Sequence, residues 1–217
     1  MSDTDWRAAE EHLCGADSRL RAVVERHGPC SLQPQEGGFV TLAESILGQQ
    51  LSNQVAQVLR ARFRQQFTDG LPTPEAVLEW EAPRFREIGF SRAKIGYVQA
   101  LAEAFTSGGL SAEKLEALED EALIHTLCCI KGIGRWTAEM YLIFALNRPD
   151  VLPLGDAAIK AALRSLYALP EEKWQDEASA KTEAWRPWRT VGCWYLWKLH
   201  GETARARKLS QRPPASP

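Results

Sequence analysis

This 217-residue chain has few cysteines, no long apolar run and a net charge close to zero. Its five cysteines follow no regular spacing, which argues against a disulfide framework and favours a reducing compartment. The longest strongly apolar run covers residues 140–146, which is too short to span a bilayer. Residues 1–11 carry acidic side chains and no apolar core, unlike a secretory signal peptide. The sequence therefore predicts a soluble intracellular protein with no membrane association.

The formal net charge of −2 argues mildly against a nucleic-acid partner, but the charges are unevenly distributed. Residues 181–212 hold eight basic and two acidic side chains, and residues 84–94 hold four basic and one acidic. Acidic side chains concentrate instead in residues 113–121. This asymmetry is typical of a protein with one basic and one acidic face. Without other signals, a merely solvated charge pattern is the simpler interpretation.

Runs of β-branched residues with a period of two are also absent, and nearly every periodic segment has helical spacing. The sequence therefore predicts an all-α protein, with Ser91 as the N-cap of one helix. We expect one domain over residues 1–206. Residues 207–217, with three prolines and two serines, are predicted to form a disordered tail.

The most informative segment is a predicted hairpin at about residues 127–138, which includes the sequence IKGIGRWTA. Glycine accepts positive φ and has no Cβ, so Gly132 and Gly134 permit a tight turn between two helices. Backbone N–H groups near Ile133 to Trp136 would then point at a phosphate oxygen, with help from the helix dipole. Asp156 follows Gly134 by 22 residues, at the start of another predicted helix.

Four ordered segments carry a family resemblance, beginning with this hairpin and with LPLGD at residues 152–156. These two resemble the helix-hairpin-helix motif and the catalytic aspartate loop of base-excision DNA glycosylases. The sequence ILGQQLS at residues 46–52, and WRPWR at residues 185–189 continuing to WYLW at residues 194–197, are similar to the DNA-3-methyladenine glycosylase II family. The resemblance covers roughly residues 15–200.

This resemblance implies two helical subdomains flanking a cleft, with a helix-hairpin-helix motif and a catalytic aspartate loop. It assigns catalysis to Asp156. At a helix N-terminus its ionised form is favoured, and its negative charge would stabilise an oxocarbenium-like sugar as the base departs. It would also orient the attacking water. From local sequence alone, a plain N-cap aspartate would be the better interpretation.

The resemblance also implies a base pocket formed by Trp136, Trp197, Met140 and Phe39. The indole faces would stack on a base that carries positive charge after alkylation. Met140 and Ala157 stand where some relatives have bulkier aromatic side chains, so the range of excised bases stays open. In relatives that also cut the strand, a lysine takes the position of Trp136, so we expect a monofunctional enzyme. Four of the other tryptophans are expected to be core or packing residues, namely Trp6, Trp80, Trp174 and Trp194.

Eight residues are expected to contact DNA by the same resemblance. They are Gln50, Ser91, Lys94, Lys131, Gly132, Ile133, Gly134 and Arg135. Gln50 is predicted to fill the gap left by the flipped nucleotide, since the target base is inaccessible within the stack. The alternative is a helix-end amide satisfied by the backbone.

No cofactor is expected to be required for catalysis. The resemblance implies a structural Na⁺ or K⁺ on the backbone carbonyls of Cys128, Ile130 and Ile133. An iron–sulfur cluster is not expected, because Cys193 is the only cysteine in the sequence after Cys129, whereas the cluster of the strand-cutting relatives needs four closely spaced C-terminal cysteines. His125, Cys128 and Cys129 share a helix face without a partner pair, so they are predicted to be buried rather than zinc-binding.

The sequence thus predicts a monomeric, monofunctional DNA glycosylase that removes alkylated purines, chiefly 3-methyladenine, from duplex DNA in base excision repair. We expect it in the cytoplasm, at the nucleoid, of a bacterium or in the nucleus of a eukaryote. One alternative is a non-enzymatic helix-hairpin-helix DNA-binding module, against which Asp156 and the paired tryptophans argue. The other is a glycosylase for deaminated or oxidised bases.

Overall fold

A computed structural model describes residues 4–35, 37–67 and 69–210, except the side chains of residue 53 and residues 207–210. Every regular element in these ranges is helical, which confirms the predicted all-α class. The chain forms two compact units: one from residues up to Gln33 and from Arg148 onward, the other from Pro34 to Asn147. Two helical subdomains are therefore present. None of the helices described is long and apolar enough to cross a membrane.

Within the described residues, the first unit contains five α-helices and one 3₁₀ turn. They are α1 (Arg7–Ala16), α2 (Ser18–His27), α11 (Ala157–Tyr167), α12 (Trp174–Thr182), the turn Glu183–Trp185, and α13 (Arg189–Ser210). The long helix α13 packs against α11 and α2, while α1 packs against α2 and the turn. Leu13, Leu20, Trp185 and Tyr195 are fully buried and form the centre of this core.

The C-terminal boundary differs from the prediction. We expected a disordered tail from residue 207, but α13 continues to Ser210. Helical spacing without a proline extends past residue 206, and the first proline of the tail is Pro213. The remainder of the predicted tail, residues 211–217, lies outside the described residues.

In the part of the second unit that the structure describes there are eight α-helices. They are α3 (Phe39–Gly48), α4 (Asn53–Arg64), α5 (Pro74–Leu78), α6 (Ala82–Ile88), α7 (Arg92–Thr106), α8 (Ala112–Glu116), α9 (Asp120–Cys128) and α10 (Arg135–Phe144). Helix α3 contacts α4, α7 and α10, so it is the centre of this unit. An aromatic cluster that includes Phe63, Trp80 and Phe85 packs beside it.

Most of the predicted packing of aromatic residues is confirmed. Trp6, Trp80 and Trp174 are buried, as predicted. Trp194 is only half-buried, and the Lys198 ammonium lies 4.5 Å from the centroid of its ring, one helical turn further along α13.

The prediction that Cys128 and Cys129 are buried is wrong, because both are exposed, as is His125. Helix α9 buries Leu123, Ile124 and Leu127 on its inner side. Cys128 is the next residue after Leu127, about 100° further around the helix, so it turns toward solvent. Among the residues described, no cluster of histidine, cysteine and carboxylate side chains could hold a metal ion.

Candidate functional site

The predicted hairpin links α9 to α10, and one of its two glycines is required by the turn itself. Gly132 has a φ of +92°, in the region that favours glycine. A Cβ added there would lie 2.1 Å from Cγ of Tyr97, which belongs to α7. Gly134 differs from the expectation: its φ is −104° and its ψ is 173°, which any residue adopts. A Cβ at Gly134 would meet nothing within 4 Å.

The hydrogen bonds of the hairpin correct a second expectation. The Ile133 N–H donates to the Ile130 carbonyl at 3.1 Å, so this donor is engaged within the turn rather than directed at a phosphate. Gly134 is the N-cap of α10, and no side chain caps the helix there. The positive end of the α10 helix dipole therefore lies at Gly134. This glycine is exposed, and the space where a Cβ would stand is open.

Arg135 and Lys131, both predicted to contact DNA, are exposed at this turn. The Arg135 guanidinium binds Glu121 at 2.6 Å and Glu139 at 3.0 Å. The hydrogen bond to Glu121 is the main cause of a raised Arg135 pKa, with a further contribution from Glu139. Its charge is therefore partly neutralised by two carboxylates. The i,i+4 spacing of Arg135 and Glu139 is a sequence signal that could have revealed the second of these two ion pairs.

The adjacent amides Gln49 and Gln50 have different environments. The Gln49 side chain donates to the Gly132 carbonyl at 2.9 Å and to Thr137 Oγ1 at 3.4 Å, which ties this loop to the hairpin. Gln50 is exposed and has a φ of +59°, an uncommon conformation for a residue with a Cβ. The interpretation as an amide satisfied by the backbone thus fits Gln49, whereas Gln50 projects from the loop between α3 and α4.

Lys94 and Ser91 lie at the start of α7, and both are engaged by this unit. The Lys94 ammonium donates to the carbonyls of Leu47 and Gln49 at 2.7 and 2.8 Å. Burial lowers the pKa of Lys94. Ser91 Oγ accepts from the Lys94 N–H at 3.3 Å, which confirms the predicted N-cap. These contacts hold the loop that carries Gln50, and a direct contact of either side chain with DNA stays a prediction.

The residues of the predicted base pocket that lie in the second unit have different exposures. Trp136, in the first turn of α10, is 40% exposed, which is unusual for a large apolar side chain. Met140, one turn further, is buried. Phe39 is buried too, with its ring 5.8 Å from that of Phe105. Trp136 is therefore the most exposed of these three residues, and the pocket assignment itself stays a prediction.

Asp156 is the N-cap of α11, as the sequence predicts. Its Oδ1 accepts from the backbone N–H groups of Ala158 and Ile159, both at 2.9 Å. The same oxygen accepts from Nε1 of Trp197, in α13, at 3.1 Å. Sequence reasoning placed Trp197 in the base pocket but did not predict this bond. Donors of this kind fix the orientation of a carboxylate.

The loop before Asp156 is attached to the start of α13. Asp150 accepts from Arg189 Nε at 2.6 Å and from Arg186 Nη1 at 2.5 Å. Thr190 Oγ1 donates to the Arg148 carbonyl at 2.6 Å and accepts from the Val151 N–H at 3.0 Å. Sequence reasoning used WRPWR only as a family signature and missed Asp150 and Thr190. An acid placed 36 and 39 residues before two arginines gives no local sequence signal.

Comparison with known proteins agrees with this geometry. Residues 43–189 match the model of the HhH-GPD superfamily base excision DNA repair proteins. The DNA-3-methyladenine glycosylase 1 of Schizosaccharomyces pombe is 38% identical over 200 residues, which cover 90% of this chain and 88% of that protein. The alkylbase DNA glycosidase-like protein mag2 of the same yeast is 32% identical, over 91% of this chain and 95% of that protein.

A solved structure supports the same relationship. The S. pombe 3-methyladenine DNA glycosylase in complex with abasic DNA superimposes with a TM-score of 0.81 and 37% identity. The match covers 88% of this chain and 95% of the other. The family match spans both the hairpin and Asp156. This chain therefore belongs to the HhH-GPD superfamily of base excision DNA repair proteins.

Proposed function

We propose that this protein is a monofunctional DNA glycosylase that hydrolyses the N-glycosidic bond of alkylated purines, chiefly 3-methyladenine, in duplex DNA. The observation that carries the proposal is the carboxylate of Asp156, held at the N-terminus of α11 by two backbone N–H groups and the Trp197 indole. The names and identities of the relatives support the reaction and the class of substrate.

The proposed mechanism uses Asp156 as a fixed negative charge. As the bond to the base breaks, positive charge develops on the sugar, and a preorganised carboxylate lowers the energy of that transition state. An alkylated base that carries formal positive charge needs little protonation to leave. Asp156 would also accept the proton of the water that attacks C1′, so that the products are the free base and an abasic site.

The geometry of Asp17 shows why the hydrogen bonds of Asp156 are not sufficient for this assignment. Asp17 is also an N-cap that accepts two backbone N–H groups and an indole N–H, from Trp185 at 3.0 Å. Its second oxygen also accepts from Tyr167. Asp17 lies outside the matched residues 43–189, whereas Asp156 lies within them, so we assign catalysis to Asp156.

The two tryptophans support a base that is held by stacking. Trp197 is half-buried, and its indole N–H is directed at Asp156. An indole ring is a large flat surface on which a base can stack. Trp136 is 40% exposed, and its side chain has no amine that could form a Schiff base with the sugar. We therefore propose that the enzyme has no lyase activity.

The DNA contacts are proposed from the exposed parts of the second unit. Gln50 would enter the duplex, and the backbone at Gly134 would approach a phosphate. The carbonyls of Cys128, Ile130 and Ile133 would hold a monovalent cation, which would supply positive charge for that phosphate. Ile130 already accepts from the Ile133 N–H, but a carbonyl oxygen has two lone pairs and the donor set fits Na⁺ or K⁺. We further propose a monomer located where DNA is, in bacterial cytoplasm or a eukaryotic nucleus.

The replacement Asp156→Asn tests the proposal. Asparagine is an equally good N-cap and keeps an oxygen for the three donors, so the fold should be unchanged while the negative charge is lost. We expect at least a hundredfold loss in the single-turnover release of 3-methyladenine from dimethyl-sulfate-treated DNA, on the order of the loss when one electrostatic group is removed. Affinity for a duplex with a tetrahydrofuran abasic analogue should be equal or higher.

The control is Asp176→Asn, an exposed aspartate in the first turn of α12, which should behave like the wild type. Base release by Asp156→Asn at close to the wild-type rate would overturn the assignment.

A further inference from the structure

We infer that Arg189 is a positioning residue for the reaction: by binding Asp150, it fixes the loop that delivers Asp156. This inference rests on the proposed function, in which Asp156 is the catalytic residue. Neither Arg189 nor Asp150 needs to touch the substrate for the effect.

Arg189 and Asp150 form a bidentate ion pair. Arg189 Nε and Nη2 reach the two carboxylate oxygens of Asp150 at 2.6 and 3.0 Å, and Nη2 also donates to the Asp150 carbonyl at 2.9 Å. The Arg189 and Asp150 side chains are only 16% and 20% exposed. A bidentate pair of this kind, largely shielded from water, holds one orientation much more strongly than a surface ion pair does.

One side of α13 follows the loop from Asp150 to Asp156. Arg189, Cys193 and Trp197 are spaced by four residues and so share a face of the helix. They contact Asp150, the Val151 carbonyl and Asp156, in the same order along the chain. Thr190, fully buried beside Arg189, bonds the Arg148 carbonyl and the Val151 N–H.

The consequence concerns the precision with which Asp156 is placed. Trp197 fixes the carboxylate itself, while Arg189 fixes the far end of the same loop, about 12 Å away along α13. When Arg189 is lost, the loop keeps its bonds to Thr190 and the ion pair between Asp150 and Arg186, but it loses the bidentate attachment of Asp150. A displacement of a catalytic group by even 1 Å lowers a rate by up to roughly a hundredfold. The chemical step should therefore slow without any change in the groups that carry it.

The experiment measures Arg189→Ala and Arg189→Lys under single-turnover conditions with enzyme in saturating excess. The substrate is dimethyl-sulfate-treated DNA, and the readout is the first-order rate constant for release of 3-methyladenine. This rate constant does not depend on the fraction of protein that is folded, so a purely structural loss would not alter it. Affinity is measured separately on a duplex that carries a tetrahydrofuran abasic analogue.

We expect Arg189→Ala to lower the rate constant about tenfold while the Kd for the abasic duplex changes less than about twofold. Arg189→Lys keeps the charge but not the bidentate geometry, and should fall between the wild type and Arg189→Ala. The control is Arg26→Ala. This replacement removes an exposed ion pair between Arg26 of α2 and Glu202 of α13, and it should leave the rate constant unchanged.

The results separate this inference from the proposed function. An unchanged rate constant in Arg189→Ala, or a weakened Kd with an unchanged rate constant, would overturn the positioning role while leaving Asp156 as the catalytic residue. The second result would make Arg189 a DNA ligand. Activity retained by Asp156→Asn would overturn the proposed function and this inference with it.

Discussion

At the scale of single residues, the two hairpin glycines have different reasons to be glycine. Gly132 needs positive φ and has no room for a side chain, because α7 places Tyr97 against it. Gly134 has an ordinary conformation and open space around it. The protein's own packing therefore explains the first glycine only, while a close approach by DNA would explain the second.

Gly132→Ala and Gly134→Ala form a matched pair that separates these reasons. We expect Gly132→Ala to lower the free energy of unfolding by about 2 kcal/mol or more, because the left-handed backbone is strained and the Cβ overlaps Tyr97. Gly134→Ala changes only an N-cap with an ordinary φ, so it should lower the stability much less than Gly132→Ala does, but it should weaken binding to abasic duplex DNA. Thermal denaturation and a titration with that duplex measure the two effects.

Equal stability of Gly132→Ala and the wild type would contradict the close contact with Tyr97. Unchanged DNA affinity of Gly134→Ala would contradict a phosphate at α10.

Gln50 is the residue whose exposure bears most directly on base flipping. Gln50→Ala should slow excision from paired DNA more than from mismatched or single-stranded DNA, because an unpaired base costs less to unstack. Stability should be unchanged, since the side chain is exposed and alanine also has a Cβ at the same positive φ. Single-turnover rates on the two kinds of substrate provide the measurement.

Gln57→Ala, an exposed glutamine on α4, is the control and should affect neither substrate. An equal loss on both substrates, or a marked fall in Tm, would favour a structural role for Gln50.

At the scale of helices, Asp17 connects separate elements of the first unit. Its Oδ1 caps α2 through the N–H groups of Arg19 and Leu20, while its Oδ2 accepts from Tyr167 at the end of α11 and from Trp185 in the 3₁₀ turn. Burial acts to raise the Asp17 pKa, but these hydrogen bonds together hold it below the ordinary value. One carboxylate therefore connects three elements of this unit.

The lowered pKa predicts how stability depends on pH. Because the carboxyl binds its proton more weakly in the folded state, Asp17 contributes stability above its unfolded pKa of about 3.9. That contribution is lost as the pH falls through the lower, folded pKa. Asp17→Ala should therefore cost about 2 kcal/mol at neutral pH and less below pH 4, as measured by urea denaturation at several pH values.

Asp5→Ala is the control: Asp5 forms an exposed ion pair with Arg7, so its replacement should not alter the unfolding midpoint at neutral pH. A loss for Asp17→Ala that is the same at pH 3 and pH 7 would contradict the role of its charge.

At the scale of the whole molecule, the predicted activity ends at the abasic site. The product strand should stay intact until alkali or an endonuclease is added, because Trp136 offers no amine to the sugar. Treating the pure enzyme and alkylated duplex DNA with borohydride should trap no covalent complex on a denaturing gel. Detection of such a complex would contradict the monofunctional assignment, and its loss in Lys131→Ala would identify the exposed Lys131 as the amine.

The sequence alone determined the features that depend on near neighbours in the chain. Helical periodicity, the caps at Ser91 and Asp156 and the turn at Gly132 each involve groups within about four residues. The order of four short segments along the chain was enough to indicate the family, which the comparisons confirm. These features are readable because local backbone geometry sets them before any long-range packing.

Only the tertiary structure decided which side chains are occupied by partners within the protein. Lys94, predicted to contact DNA, binds carbonyls 45 and 47 residues away, and Trp197 donates to a carboxylate 41 residues away. Arg189 and Asp150, 39 residues apart, meet because α13 lies along the loop before Asp156. No periodicity or spacing encodes such contacts, since they depend on how complete helices pack against one another.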